Sequence, residues 1–170
     1  MGSRHIARLS LLTALALAVY ALESMLPRPL PWLRIGLSNA LVLTVLLAYG
    51  LRLAVSVSVI RTILGSLLIG SFLSPGFILS VLAGVTSCLV MGAVFYLAKR
   101  VFGTVGISIF GALAHNLTQL SIAYLLFIRR SEIFMLIPVF LFMSVGTGIV
   151  TGIAAHFLYQ RVSSPAVAMD

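Results

Sequence analysis

A chain of 170 residues that is 61% hydrophobic and 8% charged lacks the polar surface to cover a globule in water, since soluble domains carry about 25% charged residues. An integral membrane protein of one domain is the class this composition allows. The net charge of +8 sets eleven Lys and Arg against Glu23, Glu132 and Asp170; the cations punctuate apolar runs, so lipid headgroups and topology signals account for them, and no nucleic-acid motif is present.

Arg4, His5 and Arg8 precede the apolar run Leu9–Leu26. The small-residue stripe Ala14, Ala18 and Ala21 marks this run as a first transmembrane helix rather than a cleaved leader. Pro27, Pro29 and Pro31 forbid continuation, so Pro27–Arg34 reads as a loop with Trp32 at the lipid boundary. Ile35–Gly50 is a short second helix. A turn at Gly50-Leu51-Arg52 leads to a third that runs to about Phe72. Ser74-Pro75-Gly76 is a turn. Further helices are expected over Phe77–Ala98, Gly103–Ile128 and Phe134–Tyr159. Residues 1–170 thus read as a single transmembrane domain, an all-α integral membrane bundle of six helices.

Loop charges orient it. With the N-terminus inside, the inner side holds Arg4, Arg8, Arg52, Lys99, Arg100 and Arg161, and the outer side Arg28, Arg34, Arg129 and Arg130. The excess on the first side favours cytoplasmic termini in a cell inner membrane. The outer cations suit headgroup binding or attraction of an anionic ligand.

Small residues recur every four positions: Ser80, Gly84, Cys88 and Gly92 on the fourth helix, Ser144, Gly148 and Gly152 on the sixth, and Gly65 on the third. Such stripes let helix backbones approach in lipid and mark contacts within the bundle. Cys88 is the only cysteine, so neither a disulfide nor a Cys-based metal site is available.

Polar side chains are scarce enough for their positions to matter. Arg61 lies nine residues past Arg52, about 13.5 Å along the third helix and close to mid-membrane. A cation there costs at least about 2.5–3.5 kcal/mol and needs a partner. Glu23, the only carboxylate within an apolar span, is the candidate. His115, Asn116 and Gln119 share one face of the fifth helix by their spacing of three and four, and Ser108 and Ala112 continue that face. Asn39 enters from the same side. Glu23, Asn39, Arg61, His115, Asn116 and Gln119 are therefore candidate ligand-binding residues. The alternative is a network that only fixes helix register. No catalytic residue is assigned, because paired carboxylates, Asp-rich motifs and phosphate loops are missing. His5, His115 and His156 are too scattered along the topology for a metal site, and no cofactor is implied.

Three blocks in order, Leu33-Arg34-Ile35-Gly36-Leu37-Ser38-Asn39, Arg61-Thr62-Ile63-Leu64-Gly65-Ser66 through Gly70-Ser71-Phe72-Leu73-Ser74-Pro75, and Gly111-Ala112-Leu113-Ala114-His115-Asn116-Leu117-Thr118-Gln119, resemble the Gx transporter family, also named heptaprenyl diphosphate synthase component I. The resemblance spans roughly Leu9 to Phe157. It implies a fold similar to the substrate-binding S components of energy-coupling factor transporters, with a small-molecule or lipid-like ligand in the outer half. It also implies a coupling subunit with an ATPase pair as partner. Ala14 and Ala18 match the Ala-xxx-Ala pattern that docks on that subunit. The synthase name implies instead a membrane accessory subunit in isoprenoid or quinone biosynthesis, and with it an isoprenoid- or quinone-related ligand.

Overall fold

The computed structural model describes residues 3–25 and 36–163. The stretch Pro27–Arg34, with Arg28, Trp32 and Arg34, lies outside the described residues, as do the side chains of Arg4, His5 and Arg8. Among the described residues there are six α-helices and no strand: α1 (Ser3–Met25), α2 (Ser38–Tyr49), α3 (Leu51–Leu68), α4 (Pro75–Ala98), α5 (Thr104–Ala123) and α6 (Ile137–Ser163). The protein is an all-α membrane bundle. The α3 helix, α4, α5 with its π-helical extension to Ile128, and the last helix with its 3₁₀ lead-in are long and apolar enough to cross a bilayer.

The centre of the bundle is α2. It packs on α1, α3, α4 and α6, and Ser38 and every residue from Ala40 to Leu46 are buried. A helix that is apolar all round belongs inside rather than at a surface. Its 12 residues span only about 18 Å, so α2 begins within the bundle. Gly36 makes that start possible: its φ of +81° is the left-handed conformation that suits glycine.

Turns account for the other boundaries. At Gly70 (φ +71°) α3 ends, with Ser71 N–H donating to Ser66 O at 2.8 Å and Gly70 N–H to Leu67 O at 3.2 Å, the paired bonds of a Schellman stop. That is four residues short of the expected Phe72. Conversely α4 starts two residues early. Ser74 Oγ accepts from Phe77 N–H at 3.2 Å and Pro75 occupies the first turn, so the Ser-Pro-Gly signal is a helix cap rather than a free turn.

The glycine stripes are contact surfaces. A Cβ on Gly148 would sit 2.7 Å from Ile109 Cα, and one on Gly152 2.7 Å from Val105 Cα, so α5 and α6 touch backbone to backbone. Gly84 abuts Ser58, Gly111 abuts Met91 and Gly65 abuts the Tyr20 ring. Close approach of this kind replaces the hydrophobic driving force that lipid removes.

The interior is layered. One apolar cluster gathers Leu12, Ala16, most of α2, Ala54, Val57, Met91, Ile107 and Ala155. The other holds Leu79, Leu120, Ala123, Ile133 and Phe140, toward the other ends of α4, α5 and α6. Between them lies a band of buried polar groups.

Candidate functional site

The polar band is built on the α2–α3 hairpin. Ser38 lies 11 residues before Tyr49 and Arg61 lies 10 after Leu51, so each stands about 15–16 Å from the Gly50 turn. Antiparallel pairing makes them level. Arg61, only 3% exposed, donates through one terminal nitrogen to Ser38 Oγ and through the other to Asn39 Oδ1. The planar fork of arginine serves both acceptors at once. The Tyr20 ring lies beside it, its centroid 6.0 Å from Cζ.

Glu23 approaches the same helix end from α1. Its Oε1 accepts from Leu37 N–H at 2.6 Å and its Oε2 from Ser38 N–H at 3.2 Å. Free N–H groups at a helix N-terminus, with the positive end of its dipole, favour an anion. The two intramembrane charges expected to partner each other are thus joined through α2. Ser38 donates its N–H to Glu23, and its Oγ accepts from Arg61.

Around this junction is a cavity of about 10 Å³, lined by Tyr20, Glu23, Gly36, Ser38, Asn39, Arg61, Thr62, Ser80 and His115. That volume admits about one water molecule. A second cavity of the same size is lined by Gly36, Asn39, Ser87, Met91, Ser108, Gly111, Ala112, Thr147 and Thr151. Hydroxyls dominate its polar groups: Ser108 and Thr151 meet at 2.7 Å, and Ser87 donates to Gly111 O at 2.8 Å. Gly36 and Asn39 belong to both linings.

Four of the six candidates, Glu23, Asn39, Arg61 and His115, therefore surround one cavity. The other two stand apart from it. Asn116 turns toward α6 and donates from Nδ2 to Ser144 Oγ at 2.7 Å. Gln119 is fully buried, and its amide nitrogen and oxygen find no hydrogen-bond partner among the described residues. Leaving such groups unsatisfied costs about 1–3 kcal/mol. Replacing Asn116 with alanine is expected to cost about 1 kcal/mol of stability, because it breaks one interhelical bond, and to leave the cavity side chains in place. Unfolding in mixed micelles would measure it; a cost near zero would show that the Asn116–Ser144 bond contributes nothing.

Tyr20, Ser38 and Thr62 are lining residues that periodicity alone does not single out, and Ser80, a member of the α4 small-residue stripe, faces the cavity as well. The sequence signal for Ser38 and Asn39 was present in the hairpin: positions equidistant from Gly50 share a level. Ala14 and Ala18 are exposed on α1, among exposed Leu11, Leu15 and Leu22. Arg129, Arg130 and Glu132 are exposed in the α5–α6 connection.

No curated protein and no solved structure matches the chain. The family profile described as heptaprenyl diphosphate synthase component I matches residues 12–158. That span takes in α2, Arg61 and the His115–Gln119 face, and with it the whole charged junction. The chain belongs to the heptaprenyl diphosphate synthase component I family, the Gx transporter family of the resemblance.

Proposed function

We propose that the protein is a non-catalytic, substrate-binding membrane subunit of a small-molecule transporter, of the energy-coupling factor S-component type. The observation that carries this reading is the convergence of Glu23, Asn39, Arg61 and His115 on one cavity at the start of a short, buried helix. Intramembrane charges facing an interior void are the usual mark of a substrate path. Helices that begin within the bilayer supply such sites in transporters. The cavity admits about one water molecule, so in this reading a larger ligand requires the bundle to open. The ligand class is isoprenoid- or quinone-related, both termini are cytoplasmic, and the cell inner membrane is the location.

In this reading α1 docks on the coupling subunit through Ala14 and Ala18. Both are exposed, so bulk added there meets a partner or lipid rather than the core. Replacing both with tryptophan is expected to cut co-purification of a coupling subunit and its ATPase pair at least tenfold and to leave the unfolding midpoint unchanged. Undiminished co-purification would remove α1 as the docking face.

The family description supports a second reading, an accessory membrane subunit of heptaprenyl diphosphate synthase. Affinity purification from native membranes separates the two. An ATPase pair with a membrane coupling protein supports transport, and a soluble prenyl synthase supports the accessory role.

A further inference from the structure

The two cavities meet at Gly36 and Asn39, which line both. Asn39 Oδ1 accepts from Arg61. Release of that one bond would let Asn39 swing and join them. Among the described lining residues of both cavities the formal charges cancel. Among the described residues of the two linings, Glu23 and Arg61 are the only Asp, Glu, Lys or Arg, and His115 is the remaining titratable base. The second cavity is lined by hydroxyls, an amide and apolar groups, with no charge. The anion-attracting N–H groups of α2 are already taken by Glu23. An incoming diphosphate would place several negative charges beside that carboxylate in a medium of low dielectric, where like charges repel strongly.

We infer that the two cavities are halves of one site, partitioned by Asn39, and that its ligand carries an uncharged or net-neutral polar head rather than a diphosphate. This rests on the substrate-binding reading and names its ligand class. Hydroxyls at Ser87, Ser108, Thr147 and Thr151 retain acceptor capacity for such a head.

The test uses the full chain in lipid nanodiscs with inorganic diphosphate as probe. Wild type is expected to show no saturable change in thermal stability. Glu23→Gln, which deletes the charge and keeps the shape, should show a saturable shift with the probe at concentrations where wild type shows none, and absence of any shift in a folded Glu23→Gln variant would overturn the role given to this carboxylate. Saturable binding by wild type that Arg61→Gln weakens would overturn the inference. Because Glu23 caps α2 and the variant could fold poorly, native mass spectrometry of wild type provides an independent readout. A released compound without phosphate supports the inference, and one bearing a diphosphate overturns it. Neither result depends on which partner co-purifies, so the transporter reading stands or falls separately.

Discussion

Replacing Gly148 with alanine is expected to lower the unfolding free energy by about 1–2 kcal/mol. Two effects oppose each other. Alanine improves helix propensity by about 0.8–1 kcal/mol over glycine. Its Cβ, however, would lie 2.7 Å from Ile109 Cα and 3.1 Å from Ile109 N. These are backbone atoms of a packed helix and cannot rotate away, so α6 must lift off α5. Overpacking of this kind costs typically about 1–3 kcal/mol. Gly152→Ala repeats the conflict against Val105 Cα, at 2.7 Å, and the double variant should lose about 3 kcal/mol or more. Gly146 is the control. It lies on the same helix, and a Cβ projecting from it would meet nothing within 4 Å, so Gly146→Ala should be neutral or stabilise by up to about 1 kcal/mol. Unfolding in mixed micelles reads all four variants. Equal behaviour at positions 146 and 148 would refute backbone contact as the basis of the α5–α6 interface.

Arg61→Met is expected to have the largest effect of any single substitution in the polar band. It removes a buried cation and leaves Glu23 charged among groups arranged for a balanced pair. Breaking one side of a directly bridged buried ion pair costs about 3–5 kcal/mol; here the two charges are joined through Ser38, so the cost should fall at or below the lower end of that range. Glu23→Gln should also destabilise, and by less, because the neutral amide oxygen still accepts from the α2 N-terminus. The informative variant is the double, Glu23→Gln with Arg61→Met. Removing both charges eliminates their desolvation, so most of the lost stability should return. Strict additivity of the two losses would show that the charges do not act as a unit through Ser38. Arg61→Lys tests geometry rather than charge. A lysine ammonium is a compact point charge without the planar fork that reaches Ser38 and Asn39 together, so it should recover only part of the loss.

The three parts of the polar band differ in how legible they were. Arg61 and Glu23 stand out in any apolar span, because a charge in lipid is costly and must be partnered. Their connection through α2 was not legible. It depends on where α2 starts, which Gly36 decides by adopting a left-handed conformation rather than by ending an apolar run. His115, Asn116 and Gln119 share a helical face by spacing, yet one face of α5 meets more than one neighbour. His115 reaches the α2–α3 side and Asn116 the α6 side. Periodicity gives the angle of a side chain about its own helix and carries no information about which helix stands opposite.

By itself the sequence determined the class, an all-α membrane bundle, because composition leaves no other way to satisfy both the apolar side chains and the backbone. It also marked where helices could approach closely, since only small residues permit it, and Gly65, Gly84, Gly148 and Gly152 each lie at a helix contact. Tertiary structure alone decided that α2 is the buried axis, that Glu23 and Arg61 are joined through its N-terminus, and that Asn39 lines two cavities. Each of these depends on the relative height of residues on different helices, which turn geometry and helix packing set and which no single helix's sequence pattern encodes.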